Sequence, residues 1–100
     1  MKKGRPRKAR IIQKEPEIRQ FSPRGRTGRP DYIGLKYEEF EALRLADYLG
    51  LGQKESAEFM DISQQTFSRV LKAGRKAVAE GVVKGKIIKV EGGDFKLLKS

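Results

Sequence analysis

Gln65, Arg69, Lys72 and Lys76 recur at steps of four, three and four within "SQQTFSRVLKAGRKAVA". On an α-helix that spacing sets them along one line. A glutamine amide can grip the N6/N7 edge of adenine and an arginine the O6/N7 edge of guanine, each worth about 1–3 kcal/mol of discrimination. The basic residues further along the helix suit phosphates, which position a protein on a duplex without specifying a sequence. Gln64, Gln65, Thr66, Ser68 and Arg69 are therefore the candidate base contacts, and Lys72, Arg75 and Lys76 the candidate phosphate contacts. Any surface helix carries Gln, Arg and Lys on its wet face. This one differs in having no acidic residue from Ser63 to Ala79.

Such a line reads only if something holds it outward. Phe67, Val70, Leu71, Gly74 and Val78 form the opposite, apolar face at helical spacing. Each large apolar residue buried there contributes about 1.5–3 kcal/mol, which fixes the polar line toward solvent. Upstream, "QKESAEFM" predicts a two-turn helix with Ser56 or Ala57, Phe59 and Met60 turned inward, and "DIS" predicts a turn. A short helix, a tight turn and a longer helix match the helix-turn-helix pattern. Ala57 is small where the helices would cross, Ile62 can plug the turn, and Ser63 can cap the second helix. Before them "LKYEEFEALRLADYLG" predicts a first helix with Phe40, Leu43, Ala46 and Leu45 or Leu49 inward. Glu38, Glu39 and Glu41 suit its positive end. The spacing of Glu41, Arg44 and Asp47 reads as an exposed ion-pair ladder.

The chain of 100 residues carries 23 Lys+Arg against 13 Asp+Glu, a net +10. That is enough for one small domain. Residues 1–30 hold eleven basic and two acidic side chains, or +9, so the excess is concentrated at the N-terminus. A block of this kind points to a polyanion, since each neutralised phosphate releases counterions. Lys3, Arg5, Arg7, Lys8 and Arg10 join the candidate phosphate contacts. The triplets Gly4-Arg5-Pro6 and Gly28-Arg29-Pro30 suggest minor-groove insertion, though Asp31 beside Pro30 opposes a phosphate at the second.

All four prolines lie in the first thirty residues, so residues 1–34 read as extended arm and loop, anchored by Phe21 and Ile33. "ARIIQ" is a candidate strand. At the other end Ile88 and Val90, then Gly92-Gly93, then Phe95 and Leu97 read as a β-hairpin over 86–100. The expected architecture is mainly α: a three-helix helix-turn-helix domain over 35–85, with a basic N-terminal arm and a small C-terminal β-hairpin.

With no cysteine and no histidine, thiol chemistry, sulfur-ligated zinc and the commonest general base are excluded. The expectation is a protein that is not an enzyme and uses no cofactor or metal. With no long apolar run and no signal-peptide core, a cytoplasmic location and no membrane partner are expected.

The segments "RPRKAR", "FSPRG", "EEFEALRLADYLGLGQKESAEFMDISQQTFSRVL", "GRKAVAEGVVKGK" and "VEGGDF" resemble a prokaryotic family, domain-of-unknown-function family one hundred and thirty-four. Its helix-turn-helix is similar to region four of sigma factors. The resemblance implies a DNA-binding fold and, in some members, a separate domain similar to iron–molybdenum-cofactor-binding proteins. Lys36 stands where the family offers a capping Ser or Thr, Asp61 where it has Gly in the turn, and Gly74 where it has Ala.

The function these readings imply is sequence-specific binding of double-stranded DNA, as a transcriptional regulator reading the major groove with the helix that begins near Gln64. The alternatives are an RNA-binding or ribosome-associated basic protein and a helix-turn-helix protein-interaction adapter. A homodimer would supply paired half-sites, with the hairpin edge or "ARIIQ" as its contact.

Overall fold

The computed structural model describes residues 9–25 and 28–98. The elements run β1 (Arg10–Ile12), β2 (Gln20–Phe21), β3 (Tyr32–Leu35), α1 (Tyr37–Leu43), a π-helical extension of α1 (Arg44–Tyr48), α2 (Gln53–Phe59), α3 (Gln64–Lys84), β4 (Ile87–Val90) and β5 (Phe95–Leu97). Among these residues no helix is long and apolar enough to cross a membrane.

The helices begin and end where backbone chemistry dictates. Lys36 has no side-chain acceptor to offer α1. The helix is held instead from within, because the Lys36 N–H donates to Glu39 Oε1 at 2.9 Å, one half of a capping box. Ser63 caps α3 by accepting from the Thr66 N–H at 3.0 Å. Gly85, at φ +66, ends it in the left-handed region that a Cβ disfavours. Asp61 takes φ +56 in the turn between α2 and α3, a conformation that Asp tolerates better than most residues.

Two adjoining cores result. Ala42, Leu45, Ala57, Met60, Phe67, Val70 and Leu71 form the first, with Leu43 and Ile62 packed against it. Leu35, Ala77 and Val90 form the second, with Ile33, Phe40, Val78 and Ile88 around them. Phe67 and Leu71 thus face inward as the spacing requires, and Ile62 fills the turn. Gly74 sits where α3 crosses α1: a Cβ there would lie 3.1 Å from Glu39 Cβ and 3.2 Å from the Glu39 carbonyl oxygen. The missing methyl lets the helices approach, which offsets the helix-propensity cost of glycine.

The strands depart from expectation. Strands do form at 87–90 and 95–97, on either side of Gly92-Gly93, but they do not pair with each other. β4 lies between β3, in parallel, and β2, antiparallel, with Ile33 opposite Ile88 and Phe21 also opposite Ile88. β5 pairs in parallel with β1, Ile12 opposite Leu97. A two-strand hairpin would leave its apolar faces and both edges wet; the longer-range pairings cover both edges of β4 and one of β5. β1 forms within the candidate strand "ARIIQ", and the rest of 1–34, expected as arm and loop, supplies β2 and most of β3 as well. "ARIIQ" pairs within the chain, through β1 on β5. Phe21, expected as an anchor, is held in β2 but leaves its side chain exposed, and Leu49 is exposed as well.

The ion-pair ladder is also replaced. Glu41 is 1% exposed and receives both Arg44 Nε at 2.8 Å and an Arg44 terminal nitrogen at 2.9 Å. Its other donor is the Gln13 N–H, just past β1. Glu38 and Glu39 are buried too; β1 and the β4–β5 loop close over this face, and the Asp94 N–H donates to Glu38. Asp47 turns away from Arg44 and pairs with Arg75 on α3.

Candidate nucleic-acid interface

α3 carries the predicted line, and its capped start decides which way that line points. With Phe67, Val70 and Leu71 buried, Gln64, Gln65, Ser68, Arg69, Lys72 and Lys76 all lie exposed on the opposite side. Among the described residues no ion pair holds Arg69, Lys72 or Lys76. Lys76 acts only at longer range, helping to hold the Glu80 carboxyl below its usual range behind the dominant Lys86 hydrogen bond.

Three predicted contacts fall elsewhere. Thr66 is half-buried, and its hydroxyl accepts from Ser63 Oγ at 3.0 Å while its N–H donates back to that oxygen. It is a capping residue of the first turn. Arg75 is exposed but committed: its Nε and a terminal nitrogen donate to the two Asp47 oxygens at 3.0 and 2.7 Å. That hydrogen bonding raises the Arg75 pKa above its ordinary value and lowers that of Asp47 below the usual carboxylate range. Arg10 is also engaged within the fold: its guanidinium, with a side chain only 11% exposed, lies 3.7 Å from Asp94. Its backbone N–H donates to the Asp94 carbonyl. Lys3, Arg5, Arg7 and Lys8 lie outside the described residues.

β1 nonetheless ties the N-terminal region to this site. The Ile11 N–H donates to the carbonyl of Met60, in the turn before α3, at 3.0 Å. Arg10, Thr66 and Arg69 line one cleft with Lys36, Glu38 and Glu39. Arg10 and Ile11 therefore sit beside the first turns of α3.

Sequence reasoning missed Asp94 and Asp47 as partners of two of the cations it singled out. Neither had a local signal, since each lies on a different element from its arginine. It also missed the carboxylates lining the cleft beside Arg69. Among the described residues no group of His, Cys, Asp or Glu is placed to hold a metal ion.

The architecture is that of a small three-helix domain whose last helix presents a cationic face free of acids from Gln64 to Ala79, flanked by strands from both ends of the described residues. This chain belongs to the family described as "Protein of unknown function DUF134", whose model matches residues 1–98. It is 45% identical over 97 residues to a UPF0251 protein of Halothermothrix orenii, covering 96% of this chain and 72% of the relative. A UPF0251 protein of Methanococcus maripaludis strain C5 is 41% identical over 97 residues, covering 96% and 75%. One from Syntrophobacter fumaroxidans is 46% identical over 90 residues, covering 89% of this chain and 58% of its own. No solved structure matches the chain.

Proposed function

We propose that the chain is a sequence-specific DNA-binding protein that regulates transcription, with α2, the Asp61 turn and α3 acting as a helix-turn-helix. The observation that carries this reading is the exposed line Gln64, Gln65, Ser68, Arg69, Lys72 and Lys76 on a helix with no acidic residue until Glu80. In this reading α3 enters the major groove by its N-terminal turns. Gln65 and Arg69 meet base edges, and Lys72 and Lys76 meet phosphates. The position of Arg10 and Ile11 beside those turns, directly after the basic residues of the sequence, supports a second grip on the adjacent backbone or minor groove.

The acid-free face is what separates this reading from a solvated surface. Duplex DNA repels carboxylates strongly, whereas a merely soluble helix gains from interspersed signs. Selection from a random DNA pool at stated salt, followed by affinity measurements on the selected and a scrambled site, tests it. A selected motif whose preference over the scrambled site collapses in Arg69→Ala supports base reading. Equal loss on both sites, or tighter binding of structured RNA than of any duplex, counts against it.

A further inference from the structure

β1 and β5 stand apart from the other strands. They pair only with each other, whereas β2, β4 and β3 form a separate sheet. A two-stranded pair does not hold by itself in water, so its attachments to the helices decide whether it stays down. Those attachments are few. The Ile11 N–H donates to the Met60 carbonyl at 3.0 Å, and the Tyr37 N–H to the Gly92 carbonyl at 3.2 Å. The Gln13 N–H donates to Glu41 at 2.9 Å and the Asp94 N–H to Glu38 at 3.3 Å. The Phe95 ring stacks on Tyr37 with centroids 4.4 Å apart.

Apolar packing adds little. Ile12 is the one fully buried side chain of the two strands, and neither strand contributes a residue to either hydrophobic core. The pair can therefore lift without opening those cores. Its closed position also carries a cost. Glu38 Oε1 is buried with no hydrogen-bond partner among the described residues, and an unmet carboxylate oxygen weakens the state that buries it. Gly93 sits directly over that oxygen: a Cβ there would fall on Glu38 Oε1 and lie 3.1 Å from Lys36 Cβ.

The same contacts connect this motion to α3. Arg10, Glu38 and Arg69 line one cleft. Lifting the pair takes Arg10 away together with its partner Asp94, which leaves the net charge as it was. It also bares the Glu38 carboxylate beside Arg69 and breaks the Ile11–Met60 bond at the turn before α3. A bared carboxylate at that point opposes a phosphate backbone.

We propose that β1, β5 and the Gly92-Gly93 loop form a strap that opens as a unit while the helices stay folded, and that α3 grips a duplex only with the strap closed. The second half rests on the DNA-binding reading; the first does not.

Native-state hydrogen exchange of the full chain in low urea tests both. The Arg10, Ile11, Gln13 and Leu98 amides are all bonded within or beneath the strap. They should share one opening constant, about a hundredfold or more above that of the Leu71 and Gly74 amides inside α3. Gly93→Ala puts a methyl against Glu38 at φ +102. It should enlarge the strap constant about tenfold more and leave that of α3 unchanged. A selected duplex at about one hundred times its Kd should reduce the strap constant about a hundredfold, because a ligand of the closed state alone suppresses opening in proportion to its concentration over Kd. Strap amides that exchange only together with α3, or a Gly93→Ala effect shared equally by α3, overturn the strap. A strap constant that the bound duplex leaves unchanged overturns the coupling. Failure to bind any duplex removes the DNA-binding reading and the second half with it, while exchange in the free chain still decides the first.

Discussion

The two halves of α3 are one continuous helix with one buried face, yet they present opposite surfaces. From Gln64 to Lys72 the wet side is cationic and amide-rich, and no described carboxylate pairs with Arg69 or Lys72. Between Arg75 and Lys84 two charges are paired, Arg75 with Asp47 of the π-helical extension and the helix's own Glu80 with Lys86, while Val82 stands bare. Whether a cation remains available depends on what packs nearby. Arg75 and Lys72 look equivalent in sequence, and only the π-helical extension of α1, which carries Asp47, separates them.

Removing the face common to both halves should have the largest effect. Phe67 is 0% exposed, and Phe67→Ala should cost about 3–5 kcal/mol in urea unfolding and abolish the distinction altogether. Glu41→Ala should come next, at about 3 kcal/mol, because it strands the Arg44 guanidinium and the Gln13 N–H. Thermal unfolding reads that loss.

Arg69→Ala against Lys72→Ala sharpens the contrast within the first half. The former should remove about 1–3 kcal/mol of preference for a selected site. The latter should weaken all duplexes alike and lower the slope of log affinity against log salt by about one. Arg75→Ala should change that slope little, since Asp47 already holds the side chain. Equal slopes for the Lys72 and Arg75 variants would erase the boundary drawn here.

Ser63→Ala should cost about 1 kcal/mol of stability by freeing the Thr66 N–H. Asp47→Asn should have the smallest effect, and one that depends on pH. The Asp47 carboxyl is held low in the folded chain by the Arg75 hydrogen bond and then by its charge. Its stabilisation is therefore full above the unfolded carboxylate pKa and fades as the pH falls through the folded one. The melting difference between wild type and Asp47→Asn should shrink toward zero in acid.

The helices were legible in the sequence because burial repeats at their own period. Phe67 and Leu71 mark α3 without help from any distant residue. The sheets were not legible in the same way. Strands of two to four residues carry too few alternations to name a partner, and Ile88 and Phe95 read as neighbours across a turn when their partners lie far back in the chain. Arg10 was misread for a related reason: its basic type was visible, its Asp94 neighbour was not. Glu41 was misread because glutamate is seldom buried, and only the chain folding over α1 makes it so. The candidate reading residues Gln64, Gln65, Ser68 and Arg69 could be placed outward because a local pattern fixes their orientation.

The parallel pairing of β1 with β5 has a consequence for how the molecule is made. Arg10 and Ile12 find Phe95 and Leu97 only once the chain has been synthesised through Leu97. The helices, whose contacts are local, can assemble early. β1, beside the start of α3, is thus secured on the ribosome only after the helices. A nascent chain would hold its α2–α3 unit in shape before that grip exists, so a translational pause or a cut before Phe95 would yield the helical unit without β1 fastened beside it.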